Sequence, residues 1–321
     1  MESTTCNLCG ADNSSPYARI PDLLLDRPQT HAQLVRCNHC GLIYQNPRPT
    51  PAEIGAHYPP SYESYADYRR TARGRLMRLA YDYGMNKRCR FVTAAAPRGG
   101  RLLDVGCAAG SFLTAMRDKP GWEVEGVELS VETAQIARER NGLKVFAGTL
   151  EEAAFPDNHF AAVTLWDVLE HLHDPVGTLV EIRRILQPGG IVVIRVPNLA
   201  SWDAAIFGQY WAGLDAPRHL YVYTPETLAR SLTSGGVELI DQSTAIGSYP
   251  IFALNVRFWM NAHGIAPGTK AIVSKALYNP ASRILSAPAF FLPSVLGVGP
   301  LLVATARKPV QTGVSATRLQ E

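Results

Sequence analysis

The chain has 321 residues, 46% of them apolar, and 31 Lys and Arg stand against 28 Asp and Glu for a formal net charge of +3. This is the composition of a folded soluble protein long enough for one large domain and a small appendage, and its charge excess is too mild to announce a nucleic-acid partner. The opening MESTTCNLCG has no apolar h-region, so no secretory signal is read there and a reducing, cytoplasmic setting is expected.

Four of the six cysteines fall in two Cys-x-x-Cys pairs, CNLC (Cys6, Cys9) and CNHC (Cys37, Cys40). Each pair can turn both sulfurs toward one ion, which predicts structural zinc held by four thiolates in a zinc-ribbon-like module over residues 1–50. Gly10 and Gly41 supply the permissive backbone such turns need. A redox dithiol is the competing reading, but it needs only one pair, set beside a strand. His39 is expected at the surface of its knuckle rather than on the metal.

Residues 51–98 are rich in Tyr and Arg and predict a helical connector or lid. From Arg69 to Arg90 eight cations face only Asp82, giving a helix with one basic side that either is solvated or meets an anion. From Gly100 short apolar runs alternate with helical segments, the mark of a doubly wound α/β sheet. Strands are predicted at 101–105, 123–127, 143–146, 161–165 and 191–196, with helices near 111–117, 131–140 and 176–186. Two later strands, 237–242 and 301–306, flank an apolar insertion, 247–299, a candidate substrate lid. Residues 284–306 carry no charge and are long enough for a bilayer, but Pro288, Pro293, Gly297, Gly299 and Pro300 break the run. No transmembrane span is expected; peripheral contact with a membrane stays open, and residues 310–321 form a tail.

The segment LLDVGCAAGSF fits the dinucleotide pattern G-x-G-x-x-G poorly, since Gly106, Ala108 and Ser111 fall on its small positions. It fits G-x-G-x-G better, with Gly106, Ala108 and Gly110, and Asp104 inside the strand end. Cys107 has no base beside it and is read as backbone lining, and Cys89 as core. The segment WDVLEHLHDP, Trp166 to Pro175, places two carboxylates and two imidazoles after a strand. If it makes a helical turn, Asp167, Glu170 and His171 share a face, and His219 of PRHL can reach the same mouth. A metal site, a metal-free base and a structural turn are all consistent with that set. His173 and Asp174 are assigned to a loop and a helix cap, with Pro175 at the first helical position.

With Asp104, Gly106, Ala108 and Gly110 in LLDVGCAAGSF, and with VEGVELS, AGTLEEAAF, WDVLEHLHDP and LQPGGIVVIRVPN in order behind it, the chain resembles class I S-adenosylmethionine (SAM) methyltransferases over residues 102–198. The resemblance implies a Rossmann-like seven-stranded α/β sheet with helices on both faces. It also implies SAM contacts from Asp104, Gly106, Cys107, Ala108, Gly110, Glu128, Leu129, Thr149, Leu150 and Trp166. Asp104 would serve the ammonium group and Glu128 both ribose hydroxyls. The cysteine module and PRHL extend the likeness to bacterial enzymes acting on small or lipid-linked metabolites, most simply on a hydroxyl, with an amine or a carbon as the other acceptors. Asp167, Glu170, His171 and His219 are similar to the Glu-x-x-Glu-His plus distant His that binds a divalent ion in small-RNA and ubiquinone-pathway O-methyltransferases, with Asp in place of the first Glu. A ribosomal-RNA substrate is the alternative, though residues 1–50 balance four Arg with four acidic residues. A silent SAM-fold interaction protein is the other. Oligomeric state is not readable.

Overall fold

The computed structural model describes residues 1–58, 75–244 and 248–310. Arg69, Arg70 and Arg73 of the expected basic helix, and residues 311–321 of the tail, lie outside the described residues.

The two knuckles repeat one backbone pattern. Cys6 N–H donates to Ala11 O (2.9 Å) and Gly10 N–H to Cys6 O (2.7 Å), and Cys37 with Leu42 and Gly41 does the same. Gly10 and Gly41 take φ of 74° and 79°, which a side chain would disfavour. Between the knuckles runs a hairpin of β1 (Ser14–Asp22) and β2 (Arg27–Cys37), and β3 (Ile43–Gln45) pairs with β2. There follow α1 (Pro51–Ile54), a 3-10 turn Gly55–His57, and α2 (Arg75–Ala95).

The alternating region then gives β4 (Gly100–Val105), α3 (Ser111–Arg117), β5 (Trp122–Glu128), α4 (Val131–Asn141), β6 (Lys144–Ala147), β7 (Phe160–Trp166), α5 (Pro175–Ile185), β8 (Leu186–Pro197) and α6 (Trp202–Phe207). It closes with β9 (Tyr221–Val222), α7 (Pro225–Ser234), β10 (Glu238–Ser243), three helices of the insertion, α8 (Ser248–Ala262), α9 (Pro267–Leu277) and α10 (Pro280–Val295), and β11 (Leu301–Arg307). The seven-stranded sheet has the order β10-β11-β8-β7-β4-β5-β6, parallel except for β11, which is antiparallel to both neighbours. The chain therefore winds outward from β4 in one direction and from β7 in the other. That reversal opens a crevice at the carboxyl ends of β4 and β7.

Period-two alternation splits the core between the two faces of the sheet. Leu103, Val105, Val192 and Ile194 pack with Leu179 and Ile182 of α5 and Leu228 of α7. Leu102, Ile191 and Val193 pack with Val92 of α2, Leu113 of α3 and Ala137 of α4. Helices thus cover both faces, as expected. At about 25 cal/mol per Å² of apolar area, these fully buried side chains supply the main drive for folding.

Three local expectations need correction. The helix expected to run to Leu186 stops at Ile185, and Leu186 already pairs with Phe160 as the first residue of β8. Strand β6 starts one residue later than predicted. The insertion carries three helices that its Pro-rich composition hid, Pro267 and Pro280 each opening one at the first helical position. Among the described residues no helix is long and apolar enough to cross a membrane.

The cysteine module is knitted to the rest of the chain. β9 adds a fourth strand to its sheet, with Ile43 opposite Val222 and Tyr44 opposite Tyr221. Ile20, Leu34 and Ile43 share a core with Trp211, Leu214 and Val222. No periodicity could announce this contact, because β9 is only two residues long.

Candidate active site and cysteine cluster

The loop after β4 is shaped by residues that tolerate left-handed backbone. Gly106 and Gly110 have φ of 70° and 81°, and Ala108 takes φ 48°. A side chain at Gly106 would put its Cβ 2.6 Å from Val168, so only glycine leaves the loop in place. Ala108 N–H and Ser130 N–H each donate to one oxygen of Glu128, both at 2.9 Å. Asp104 accepts from the Thr164 hydroxyl at 2.6 Å and is 3% exposed. Burial pushes its carboxyl up to about 7, against the pull of Thr164 and of the Arg88 guanidinium. Burial likewise raises Glu128.

Asp104, Gly106, Cys107, Ala108, Glu128, Trp166, Asp167 and His171 line one cavity of about 380 Å³. Gly110 caps α3 below it with a hydrogen bond to Cys107 O, Leu129 is 70% exposed, Thr149 caps a turn with Glu152, and Leu150 is core. None of these last four borders the cavity. Cys107 is buried with its thiol pushed far up by desolvation, and Gly126 gives its sulfur room, a lining role rather than a nucleophilic one. Cys89 is buried in the core beside Val92.

The turn after β7 is a 3-10 helix, Leu169–His171, and Asp167 lies outside it with φ 60°. The expected shared helical face is therefore not formed: Asp167 instead makes a bidentate pair with Arg195 of β8, through Nε at 2.8 Å and through Nη2. That guanidinium holds the carboxyl of Asp167, which is only half-buried, below its ordinary range. Ligand atoms of Glu170, His171 and His219 lie within 4.8 Å of one another. The two imidazoles meet edge to face, centroids 4.5 Å apart. His219 Nδ1 is 2.8 Å from Gly213 O and His171 Nδ1 is 3.1 Å from Arg218 O. Because a carbonyl only accepts, His219 carries its proton on Nδ1 and keeps the Nε2 lone pair, whereas His171 Nδ1 also lies 2.8 Å from the Tyr58 hydroxyl, which can donate or accept. Glu170 is 1% exposed, and neither of its oxygens has a hydrogen-bond partner among the described residues. Burial, with Asp167 nearby, raises it well above the usual carboxylate range. Burial lowers His171 to about 3 and lowers His219.

This cluster borders a second cavity of about 490 Å³, which shares Met85, Arg88, Asp167 and His171 with the first. Pro250, Ile251, Leu254 and Phe258 of α8 form its apolar wall, and Leu24 of the β1–β2 turn reaches it. His173 donates from Nε2 to Pro49 O at 3.0 Å, and Asp174 caps α5 through Gly177 N–H.

Sequence reasoning passed over Arg195 and the ion pair behind His219, and counted Arg88 only among the cations of the basic helix. Arg88 and Arg195 lie over the Trp166 ring at 5.3 and 5.7 Å, and the Trp166 indole N–H is buried without a partner among the described residues. Arg218, fully buried, bonds Asp22 and Asp215 at 2.7 Å each. The signal for Arg195 was a lone cation inside the apolar run IVVIRVP, which must find an acid.

Four sulfurs form the second centre. Cys6 Sγ and Cys40 Sγ are 3.4 Å apart, Cys9 Sγ and Cys37 Sγ 3.5 Å, and all four lie within 4.8 Å. Sulfurs bound at 2.3 Å around a tetrahedral ion sit about 3.8 Å apart, so the set fits zinc. His39 is exposed.

A cavity at the switch point of this strand order, with a strand-end acid, a left-handed glycine loop and a second acid on β5, defines a class I SAM-dependent methyltransferase. Residues 72–242, over half the chain, match the family model described as a methyltransferase domain, and the chain belongs to that family. An uncharacterized methyltransferase of Schizosaccharomyces pombe is 37% identical over 114 residues, 32% of this chain and 41% of that protein. A ubiquinone biosynthesis O-methyltransferase of Cereibacter sphaeroides is 30% identical over 156 residues, 45% of this chain and 63% of that protein. The chain thus spans less than two thirds of either relative. A SAM-dependent methyltransferase structure from Mesorhizobium loti superposes with TM-score 0.47 at 16% identity, covering 70% of this chain and 100% of that one.

Proposed function

We propose that the protein methylates an oxygen of a small molecule, with Glu170, His171 and His219 holding a divalent ion at the acceptor. The observation that carries this is the buried Glu170 carboxyl, without a hydrogen-bond partner among the described residues, within 4.8 Å of ligand atoms of two imidazoles, one of which, His219, is oriented by a backbone carbonyl at Nδ1. Imidazoles that ligate metals are commonly oriented in this way. The relatives named as O-methyltransferases of ubiquinone biosynthesis support an oxygen acceptor.

SAM when bound supplies a methyl group already activated on a sulfonium, and a divalent ion would lower the pKa of an acceptor hydroxyl. What is left to the chain is orientation and removal of one proton. Asp104 is suited to the ammonium group, because a cation at that place would draw its carboxyl back to the charged form. Glu128 keeps lone pairs beyond its two backbone bonds for the ribose hydroxyls. The Asp167–Arg195 pair holds the wall between the cavities, and the face of α8 excludes water from an apolar acceptor. The four cysteines hold a structural zinc.

Assay with isotopically labelled SAM against phenols and catechols, nucleotide sugars, lipid-linked glycans and RNA tests the reading. Transfer to a hydroxyl that falls on chelation and returns with a divalent ion is expected. Transfer indifferent to chelator but lost in His219→Ala would leave a metal-free base, and transfer to RNA alone would overturn the acceptor class.

A further inference from the structure

The insertion presents an apolar face to the outside. On α10, Leu285, Pro288, Ala289, Leu292, Val295 and Leu296 recur at helical spacing and are all exposed, Leu285 at 82%. Ser294 lies on the protected side, where its carbonyl accepts from the Thr244 hydroxyl at 2.8 Å, and Phe290 packs on Tyr249 and Phe252 of α8. A helix bathed in water would put its leucines inward and its serines outward. This one is arranged the other way round. On α9, Ile272 and, just past the helix, Tyr278 are exposed as well, at 71% and 66%.

The charge pattern names what covers this face. From 247 to 299 the sequence has four cations and no acidic residue, and Lys270 and Lys275 of α9 stand beside the exposed Ile272. An exposed apolar stripe on a segment whose only charges are cations matches the boundary of an anionic bilayer, where acyl chains take the apolar side chains and headgroup phosphates the lysines. Helix α10 has 16 residues with Pro288 and Pro293 inside, too short for the ~20 residues of a span. It can lie in the interface. Helix α8 stands between this face and the second cavity, packing on Phe290 from one side and lining the cavity through Ile251, Leu254 and Phe258.

We infer that α9 and α10 form a docking surface for an anionic lipid bilayer. The inference does not depend on the methyl acceptor. It is tested by sedimenting the purified full chain with vesicles of phosphatidylcholine, with and without phosphatidylglycerol. Binding at least about tenfold stronger to the anionic vesicles, weakening as salt rises, is expected. The double variant Leu285→Glu, Leu292→Glu should lose that binding while SAM affinity by calorimetry stays unchanged, which shows that the fold is intact. Lys270→Glu with Lys275→Glu should remove the preference for anionic lipid. No sedimentation with either vesicle, or unchanged binding by the leucine variant, overturns the inference. A lipid-free dimer that the leucine substitutions split would overturn it too, giving the face to a second copy of the chain.

Discussion

Glu128 accepts one backbone amide on each carboxylate oxygen and is 7% exposed, so it ties the glycine loop to β5 before any ligand arrives. Glu128→Ala should cost about 1.5–3 kcal/mol of SAM affinity, the range for hydrogen bonds to a charged group, as read by calorimetry. Asp104 makes a prediction in pH. The native carboxyl keeps its proton up to about 7, whereas an unfolded one loses it near its ordinary value of 3.8. Across that window the native state binds more protons than the unfolded state, so Asp104 lets stability fall as pH rises, by up to about 4 kcal/mol in all. Asp104→Asn should flatten this slope, measured as the difference in urea midpoint between pH 5 and pH 8, while weakening SAM binding. A slope unchanged in the variant would show that the carboxyl is ionised throughout.

At the scale of elements, the β1–β2 hairpin reaches the site through Leu24 at its turn and through an ion pair. Asp22 closes β1 and meets Arg218, whose neighbour His219 sits beside Glu170, with Nε2 4.0 Å from its carboxylate. Removing one partner of a fully buried pair leaves the other uncompensated. Asp22→Ala should therefore destabilise the fold by about 3–5 kcal/mol in urea unfolding, although Asp215 still faces Arg218. A loss no larger than that of a surface pair would mean that Asp215 alone satisfies the guanidinium. The same coupling explains why β9, too short to be seen in the sequence, matters: it hangs the cysteine sheet on the segment that carries His219.

For the whole molecule, the cysteine cluster should hold one zinc per chain by elemental analysis, and Cys37→Ser should lose it. Since a metal there would close the knuckles at both ends of the hairpin, that variant should also expose residues 1–50 to limited proteolysis. A zinc-free protein with the same proteolytic resistance would assign the four thiols another task. The His219→Ala variant should lower turnover in the labelled-SAM assay with SAM affinity kept, because it removes one ligand of the ion at the acceptor, whereas a fall of ~10²–10⁴-fold that chelation leaves unchanged would mark His219 as the proton acceptor.

The sequence by itself determined the sheet and the cofactor loop, because each is specified locally. Period-two and helical patterns name β4, β5, β6 and β7 within a residue or so, while β8 begins at Leu186 rather than at 191 because Leu186 already pairs with Phe160, and the small residues at 106, 108 and 110 are demanded by their own backbone. The four-cysteine set was legible for the same reason, since each Cys-x-x-Cys turn closes on itself. Only the tertiary structure decided the partners of isolated charges. Asp167 shared a helical spacing with Glu170 and His171 in the sequence, yet Arg195, 28 residues away on the next strand, takes its carboxylate out of that cluster. Asp22 finds Arg218 across 196 residues. Such pairings depend on which strand ends the fold brings side by side, and a buried charge takes the partner that topology supplies rather than the one that sequence spacing suggests.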